Sequence, residues 1–375
     1  VSNKYQTFNK TGDIYSLFIE LSFEIIRDKY FSTMIISNKW MRANYGFELR
    51  KFLNSNTNII EIIDFGQNLI FDNAIVHTNI ITFSKSNSGQ EIIATKFPDN
   101  YFNNVDFDIE NFIYNNSIKK NEFNSGPWNI VQSTLAIINC KAIEKGKKLK
   151  DWDIEINFGI KTGYNEAFII DENVKNSLVE LDKKNIEIIK PILRGRDTRK
   201  YFANFANFYL LNTHNGYKGK TAIDVKNDYP AIYEHLLKFE NKAKKRSDKG
   251  KHWTNLRNCA YLEKFKEPKI IFSEIVSEPQ FYYDVDGYYP EATVFFISGS
   301  KLKFLTALLN SKFITFLFKN FYMGGELVGK IRYKKVFLEN VPIVVPNSLQ
   351  EQKFIEKVDE ILSLKKSNPE ADTSA

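Results

Sequence analysis

Residues 11–18 read Thr-Gly-Asp-Ile-Tyr-Ser-Leu-Phe, and the stretch that they open runs on to Ile36-Ser37-Asn38-Lys39-Trp40. Between residues 13 and 28 apolar residues recur every three or four positions, which predicts an amphipathic helix. The predicted buried face consists of Ile14, Leu17, Phe18, Leu21, Ile25 and Ile26. Residues 31–37 (Phe-Ser-Thr-Met-Ile-Ile-Ser) are typical of a buried parallel strand. The stretch therefore predicts a helix and a strand of an α/β sheet.

The pattern continues to residue 85 in the order helix, strand, helix, strand, strand. Residues 46–53 have helical spacing, whereas residues 59–65 and 79–83 are short strand-like runs. Thr11 or Asp13 can cap the first helix. No Gly-x-Gly-x-x-Gly turn follows a strand, so no dinucleotide-type cofactor turn is predicted. We expect part of a doubly wound sheet, with an edge that must be paired or covered.

A polar break at Ser84–Gly89 and an Asn-rich stretch at residues 100–124 suggest a domain boundary. We predict a first domain at residues 1–88, a linker at 89–127, a second domain at 128–346, and a C-terminal helix and tail at 347–375. The second domain alternates short strands and helices, which indicates an α+β fold. Its predicted elements include helices at Tyr229–Lys245 and Lys301–Phe318, a hairpin turn at Asp286-Gly287, and a last helix at Gln350–Leu364.

Composition excludes several classes of protein. The chain has 375 residues, 43% of them hydrophobic and 15% aromatic, enough for two or three domain cores. Two cysteines and four scattered histidines form neither a disulfide framework nor a metal-ligand pattern, so we expect a reducing, cytoplasmic location and no metal. No apolar run reaches the roughly 20 residues of a membrane span. The opening Val1 without a methionine suggests a piece of a longer protein.

Positive charge is concentrated in two segments. The net charge is +7, but residues 240–269 hold ten Lys or Arg against four Asp or Glu, and residues 190–200 hold five against one. The rest of the chain is therefore net negative. Clustered basic residues attract a polyanion, and nucleic acid is the first candidate.

Five segments of the second part resemble, in order and spacing over roughly 250 residues, the TaqI-like C-terminal specificity domain that follows adenine methyltransferase domains, including those of type IIG restriction-modification enzymes. The segments are Lys161–Phe168, Pro191–Tyr201, Lys251–Arg257, Pro268–Phe272 and Ala307–Lys312. Residues 1–85 resemble the second half of the S-adenosylmethionine-dependent methyltransferase domain in the Taq-like adenine family. The resemblance implies an α/β partial doubly wound methyltransferase sheet followed by an α+β target-recognition domain.

The resemblance also indicates what is absent. The family's catalytic Asn-Pro-Pro-Tyr loop does not occur in this chain, and Tyr5–Asp13 resembles the segment that follows it. The S-adenosylmethionine-binding strand and glycine turn would lie further upstream. The intact enzyme would therefore use S-adenosylmethionine, and we expect no cofactor, no catalytic residue and no activity in this fragment alone, whose missing N-terminal catalytic half would be a partner.

One position of the family's base-flipping machinery has a match. The segment Gly66–Ala74 resembles the late motif whose Phe stacks on the flipped base, and Phe71 is the matching residue. Flipping requires an aromatic or apolar face that replaces the lost stacking. The alternative is that Phe71 is an ordinary core residue beside the strand at 59–65.

The first basic segment contains Arg194, Arg196, Arg199 and Lys200 around a glycine that permits a tight turn. Arginine guanidinium groups suit guanine edges or phosphates, and a lysine ammonium can also bind a phosphate. All four are therefore candidate DNA-binding residues. The alternative is a solvated loop in which Asp197 pairs with a neighbouring arginine. Which arginine contacts a base and which a phosphate stays open.

The second basic segment supplies further candidates, and a third loop gives a weaker signal. The DNA-binding candidates are Lys244, Lys245, Arg246, Lys251, Trp253 and Arg257, followed by Lys330 and Arg332 in the glycine-containing stretch 324–335. Lysines at a helix end also occur as a solvated face, and a tryptophan more often packs in a core than on a base. No paired carboxylates, Ser/His/Asp set, Cys/His nucleophile or nuclease signature can be assembled.

These observations favour one reading over two rivals. The favoured function is the DNA-recognition portion of an adenine-N6 DNA methyltransferase of a restriction-modification system, with double-stranded DNA as partner. The first rival is a non-catalytic DNA-specificity subunit that works with a separate methyltransferase chain. The second is an RNA-binding or RNA-modifying protein, which the mixture of aromatic and basic residues also permits.

Overall fold

A computed structural model describes residues 4–71, 73–85, 91–98, 101–103, 108–123, 126–130, 133–323 and 329–373. The chain divides into two compact units, one of residues 1–144 with 320–329 and one of residues 145–319 with 330–375. No described helix is both long enough and apolar enough to cross a bilayer.

Unit 1 contains a mixed sheet with helices. Its elements are α1 (Tyr15–Ile25), β1 (Phe31–Ser37), α2 (Phe47–Asn56), β2 (Asn58–Leu69), β3 (His77–Ser84), β4 (Ile92–Lys96), α3 (Ile109–Asn116), β5 (Ile118–Lys120) and α4 (Ser133–Lys145). The predicted order of helix, strand, helix, strand, strand up to residue 85 is confirmed. The strand order is β1-β3-β2-β4-β5, and within it only β2 and β4 run parallel.

The expectation that β1 is a buried parallel strand was wrong. β1 lies at an edge of the described sheet and pairs antiparallel with β3, from Phe31 opposite Ser84 to Ser37 opposite Thr78. Its side chains alternate in exposure, and Phe31 is 67% exposed. A β-branched run indicates a strand but does not indicate which neighbours it has.

The predicted buried face of α1 was also wrong. Ile14, Phe18 and Ile25 are 63%, 52% and 73% exposed, whereas Ser16, Ile19, Glu20 and Ser22 are buried. The reason is the segment that precedes the helix, because the backbone N–H groups of Gln6 and Thr7 donate to the Glu20 carboxylate at 2.9 and 2.8 Å. A buried carboxylate needs such donors, and these satisfy it on the polar side of the helix.

The predicted linker at residues 89–127 was wrong in its central part. β4 pairs with β2, and β5 pairs with β4, so this part of the chain completes the sheet of unit 1. Trp128, the expected start of the second domain, is buried in the core of unit 1 with its ring 5.1 Å from that of Trp40. The short strands were hidden by their Asn-rich surroundings. Residues 86–90, 99–100, 104–107 and 124–125 of this region lie outside the described residues.

Unit 2 contains many short strands and helices, as an α+β pattern predicts. Its strands are β6 (Lys147–Lys148), β7 (Ile154–Phe158), β8 (Ile169–Asp171), β9 (Ile189–Leu193), β10 (Thr198–Arg199), β11 (Phe202–Ala203), β12 (Phe208–Leu211), β13 (Lys269–Ser273), β14 (Ile275–Val276), β15 (Phe281–Asp284), β16 (Tyr289–Pro290), β17 (Val294–Gly299), β18 (Ile331–Arg332) and β19 (Pro342–Ile343). Its helices are α5 (Asn165–Phe168), α6 (Glu172–Leu181), α7 (Val225–Asp228), α8 (Pro230–Leu237), α9 (Glu240–Ala243), α10 (Leu302–Leu309), α11 (Lys312–Leu317), α12 (Lys335–Leu338) and α13 (Ser348–Ser367).

Two four-stranded sheets organise unit 2. Their strand orders are β16-β9-β12-β8 and β15-β13-β17-β7. A shared hydrophobic core lies between them and the helices α6 and α8. Lys269 on β13 is fully buried and paired with Asp284 on β15, and Asp284 also accepts the N–H of Asp286 and Tyr288. Asp284 thereby links the segment after β15 to β13. Removal of either partner would leave the other charge buried and unpaired, which is strongly destabilising.

Three predicted elements of unit 2 differ in detail. The helix expected at 229–245 is broken into α8 and α9, and the one expected at 301–318 is broken into α10 and α11. Gly287 does make a turn, with φ at +76°, but the flanking strands do not form a hairpin. β16 pairs in parallel with β9, whereas β15 pairs with β13. The last helix is confirmed as α13, with Asn347 and Gln350 forming a capping box.

Candidate nucleic-acid interface

Polar side chains collect at one edge of unit 2, where three extended segments end together. β9 and β16 are parallel neighbours, with Leu193 opposite Pro290, and Ile160 bridges in parallel to Glu291. Since parallel segments end at the same edge, the residues that follow each of them are brought together. We call this edge, formed by Thr162, Asn165, Arg194, Gly195, Arg196, Ser273, Glu291 and Thr293, the polar edge.

Arg194 is a structural part of its loop. Its Nε and one terminal nitrogen donate to the two carboxylate oxygens of Asp197 at 2.8 Å each, and its guanidinium stacks 4.2 Å from the ring centre of Phe208. The hydrogen bonds to Asp197 raise the pKa of Arg194 above its usual value. The alternative in which Asp197 pairs with a neighbouring arginine therefore applies to Arg194. Its charge is largely neutralised within the loop.

The remaining cations of the loop differ in their freedom. Arg199 donates to the carbonyl oxygens of Arg196 and Thr198 at 2.6 and 2.9 Å, which leaves it half-buried. Lys200 is half-buried with its ammonium 5.7 Å from the ring centre of Tyr201. Arg196 is exposed, and in the described part of the chain its guanidinium makes no ion pair. Arg196 is therefore the cation of this loop that is best placed to meet a ligand.

The loop is anchored at both ends. The Ser273 hydroxyl donates to the Gly195 carbonyl at 2.9 Å, and a Cβ at Gly195 would lie 3.3 Å from that hydroxyl oxygen. At the other end, the Tyr201 N–H donates to the carbonyl of Phe281. The buried side chain of Asn310 accepts from the backbone N–H of Phe281 and donates to the same carbonyl. Arg196 is thus carried on a rigid support.

Sequence reasoning missed Glu291, Asn165 and Thr293 in the polar edge. The Asn165 side-chain amide donates to one oxygen of Glu291 at 3.1 Å, and the Thr293 hydroxyl donates to the other at 2.9 Å. The backbone N–H of Glu291 donates to the carbonyl of Leu193, so this carboxylate lies next to Arg194. The available signal was Pro290-Glu291-Ala292-Thr293, a polar interruption before a continuous apolar strand.

Two candidates in the second basic segment are buried, and the prediction that they contact DNA was wrong. Arg246 is 7% exposed and donates to the carbonyls of Ala243, Thr162, Trp253 and Asn255. Its guanidinium also lies 4.3 Å from the ring centre of Phe168, and burial lowers its pKa to about 10. Trp253 is 8% exposed within the core of unit 2, as its alternative reading expected.

The other cations of that segment are exposed. Lys245 and Lys251 have exposed side chains, and neither ammonium has an ion pair among the described residues. Lys244 pairs with Glu240 at 2.8 Å, and Arg257 pairs with Asp248 at 2.9 Å. Lys251 and Arg257 line an open cleft of about 510 Å³ with Asn215, Ser247, Asp248, Lys249, Gly250 and Asn258. The cleft is polar and rich in cations, which suits a phosphate backbone.

The third predicted loop is described only in part. Gly324–Val328 lie outside the described residues. Lys330 is exposed, and Arg332 on β18 donates to Glu274 at 2.8 Å with a side chain 38% exposed. Lys330 remains a DNA-binding candidate, whereas part of the Arg332 charge is compensated.

Phe71, the flipped-base candidate, lies in unit 1 just after β2 and is 46% exposed. It is therefore not an ordinary core residue. β2 is irregular between Asp64 and Leu69, just before Phe71, and the buried Asp64 accepts hydrogen bonds there from Asn38, Arg42 and the Gly66 N–H at 2.8 to 3.0 Å. Gly66 has a φ of +62°, which glycine adopts at little cost. Asp72 lies outside the described residues.

No group of three or more His, Cys, Asp or Glu side chains in the described residues is arranged to hold a metal ion.

Comparison with known proteins gives two family matches. Residues 1–71 match the Eco57I restriction-modification methylase family, and residues 190–343 match the TaqI-like C-terminal specificity domain. The second match includes the Arg194 loop, the second basic segment and Glu291.

Curated relatives match nearly the whole chain at low identity. The type II methyltransferase M.BstVI of Geobacillus stearothermophilus is 22% identical over 95% of this chain and 65% of its own length. The type II methyltransferase M.BanIII of Aneurinibacillus aneurinilyticus is 23% identical over 95% of this chain and 68% of its own. The chain thus spans about two thirds of the length of these relatives.

A solved structure resembles this chain in fold. It is that of the type IIL restriction-modification enzyme MmeI in complex with DNA, with a TM-score of 0.59, 16% identity, and coverage of 95% of this chain and 44% of that one. The resemblance of the first part to a methyltransferase domain and of the second to a specificity domain is confirmed. This chain is similar to type II restriction-modification methyltransferases, with an Eco57I methylase-type segment at residues 1–71 and a TaqI-like C-terminal specificity domain at residues 190–343.

Proposed function

We propose that this chain is the DNA-recognition portion of an adenine-N6 DNA methyltransferase of a restriction-modification system. In this proposal unit 2 holds duplex DNA, and unit 1 belongs to the rear of the methyltransferase domain. The observation that carries it is the exposed Arg196 on a doubly anchored loop, inside the segment that matches a specificity domain. An exposed guanidinium on an anchored loop can bind a phosphate or a guanine edge with little further cost of ordering the backbone.

The second basic segment supports the same function. Lys245, Lys251 and Arg257 are exposed, and two of them line the polar cleft. Cations of this kind displace condensed counterions from a duplex, so each phosphate contact adds roughly −0.9 to the slope of log K against log salt. Affinity that falls steeply with salt is therefore expected.

Phe71 would stack on the flipped adenine. Its side chain is half-exposed, and hydrogen bonds to Asp64 hold the irregular part of β2 that precedes it. A base that leaves the helix needs an aromatic face of this kind. The proposal therefore assigns base stacking to unit 1 and base and phosphate recognition to unit 2.

The catalytic half would bind to unit 1. Apolar side chains are exposed on α1, at Phe18 and Ile25, and on β1, at Phe31, and exposed apolar surface often marks an interaction site. β1 also presents an edge of the described sheet, which another strand can pair with. S-adenosylmethionine and the Asn-Pro-Pro-Tyr loop would belong to that half, and this chain alone would be inactive. The parent enzyme is proposed to be a type II methyltransferase. A type IIG enzyme, which also carries a nuclease domain, is one arrangement that this proposal covers.

The test is fluorescence anisotropy of labelled duplex DNA titrated with this chain at several salt concentrations. We expect micromolar or weaker binding with a negative salt slope, and no binding of S-adenosylmethionine by calorimetry. Tight S-adenosylmethionine binding or methylation by this chain would contradict the proposal. Preferential binding of single-stranded RNA would favour an RNA-binding protein instead.

The second candidate is a non-catalytic specificity subunit that works with a separate methyltransferase chain. The exposed apolar surface of unit 1 fits a separate chain as well as a covalently attached half. The reading frame upstream of the codon for Val1 distinguishes them, because a contiguous glycine turn and Asn-Pro-Pro-Tyr loop would exclude the subunit.

A further inference from the structure

Glu291 is a carboxylate in the polar edge, which also contains Arg194 and Arg196. It is half-buried, follows β16 directly, and its backbone N–H donates to the Leu193 carbonyl at 2.8 Å. It therefore lies beside Arg194, the first residue of the loop that carries Arg196. Among the described residues its carboxylate makes no ion pair, because Arg194 is already paired with Asp197.

The orientation of this carboxylate is fixed by neutral donors. Asn165 donates to one oxygen at 3.1 Å, and Thr293 donates to the other at 2.9 Å. Asn165 is itself oriented by the Thr162 hydroxyl, which donates to its side-chain oxygen, and the Thr162 carbonyl accepts from the buried Arg246. Each carboxylate oxygen keeps acceptor capacity beyond its one neutral partner. Glu291 is thus a preorganised acceptor with no ion pair of its own among the described residues. Together with the hydrogen bonds to Asp197, its charge helps to raise the pKa of the neighbouring Arg194.

Chemistry limits what such a group can meet on DNA. The phosphate backbone repels a carboxylate, whereas the major groove presents hydrogen-bond donors at the exocyclic amines of cytosine N4 and adenine N6. A carboxylate accepts from these amines and is repelled by the acceptor oxygens of guanine and thymine. A negative charge at the polar edge is therefore suited to a base edge and unsuited to a phosphate.

We propose that Glu291, oriented by Asn165 and Thr293, is a specificity-determining residue that accepts a hydrogen bond from the exocyclic amine of one base in the target duplex. The inference rests on the proposed function, because it requires that unit 2 binds duplex DNA. In the polar edge, Glu291 would then bind an exocyclic amine, and Arg196 would bind guanine or a phosphate. The supporting residues are Asn165, Thr293, Thr162 and Arg246.

The experiment is selection of preferred sequences from a randomised duplex pool by this chain, compared with its Glu291→Ala and Glu278→Ala variants, because alanine removes the acceptor that glutamine would keep. Glu278 is an exposed carboxylate of unit 2 between β14 and β15, outside the polar edge, so it serves as the matched control. We expect the unchanged chain to enrich cytosine or adenine at one position. Glu291→Ala is expected to reduce that discrimination roughly 5- to 10-fold. Its affinity for unselected duplex should be unchanged or higher, because a negative charge is lost.

Base analogues then distinguish the two sources of the amine. Replacement of the selected cytosine by 2-pyrimidinone, or of the selected adenine by purine, removes the amine and should weaken binding of the unchanged chain by a similar factor. The same replacement should leave binding of Glu291→Ala nearly unaltered. Thr293→Val is a milder second variant, which should reduce the preference partially, and thermal melting of each variant separates lost preference from lost folding.

Each outcome bears on a different claim. Retention of the full base preference by folded Glu291→Ala would overturn the inference. Binding of all duplexes alike by the unchanged chain would also overturn it while the proposed duplex binding stands. Absence of any duplex binding by the unchanged chain would instead refute the proposed function.

Discussion

The loop at residues 194–200 and the segment at residues 242–257 are both basic in sequence, but they use their arginines in different ways. In the first, the half-buried Arg194 is paired with the buried carboxylate of Asp197, and Arg196 is exposed. In the second, Arg246 is buried and tied to four backbone carbonyls, while Lys245 and Lys251 are exposed. The comparison shows that in each segment one arginine supports the backbone from which other cations are presented.

The largest expected effect is on stability, at Arg246. Arg246→Ala leaves carbonyl oxygens unsatisfied inside unit 2 and should lower the free energy of unfolding by about 3–5 kcal/mol. Urea denaturation followed by circular dichroism measures it. Lys245→Ala is the matched control, because its exposed side chain should change stability by less than about 0.5 kcal/mol. Equal stabilities of the two variants would remove the proposed distinction between supporting and presented cations.

The next largest effect on stability is expected for Arg194→Ala. Asp197 is only 4% exposed, and loss of its charged partner should cost about 1–3 kcal/mol of stability. Affinity for DNA should also fall, because the loop that carries Arg196 would lose its internal support. Arg194→Lys should recover only part of the stability, since an ammonium cannot reproduce the two parallel hydrogen bonds to Asp197. Unfolding midpoints in urea and anisotropy titrations on the same variants provide both readouts.

Arg196→Ala should change binding and leave stability nearly unaltered. The expected loss is about 1–3 kcal/mol of binding free energy if the guanidinium contacts a base, with relaxed preference at one position. If it contacts a phosphate, the affinity should fall equally for all sequences and the salt slope should decrease by about 1. Anisotropy titrations against two unrelated duplexes separate these outcomes. Unchanged affinity would exclude Arg196 from the interface.

Lys251→Ala should have the smallest effect. Its exposed side chain makes no ion pair in the described part of the chain, so folding should change by less than about 0.5 kcal/mol. A single phosphate contact should appear as a change of about 1 in the salt slope, equal for every duplex. A sequence-dependent loss of affinity would instead assign this lysine to base recognition and weaken the contrast between the two segments.

Much of the fold could be predicted from sequence, because hydrophobic spacing reports secondary structure directly. The order of elements up to residue 85 and the last helix α13 followed from it. The buried face of α1 could not be predicted, because the residues that cover Ser16 and Glu20 come from a segment without periodicity. The strands β4 and β5 were missed because they are short and flanked by polar stretches that resemble a linker.

The candidate site was predictable only at the level of segments. Charge density located both basic segments, but the sequence does not tell a buried arginine such as Arg246 from an exposed one such as Arg196. That difference depends on carbonyls of Thr162 and Asn255, which the fold brings together from distant positions. Glu291 was missed because a single glutamate has no sequence signature, and its importance comes from Asn165, which lies 126 residues away along the chain.

The central claim is that unit 2 binds duplex DNA through exposed cations on segments that Arg194 and Arg246 hold in place. The most direct measurement is the salt dependence of duplex affinity for the unchanged chain, compared with a variant that combines Arg196→Ala, Lys245→Ala and Lys251→Ala. The account predicts that the unchanged chain binds with a clearly negative slope, and that the folded triple variant binds more weakly with a shallower slope. Identical curves for the two proteins, or no duplex binding by either, would contradict it.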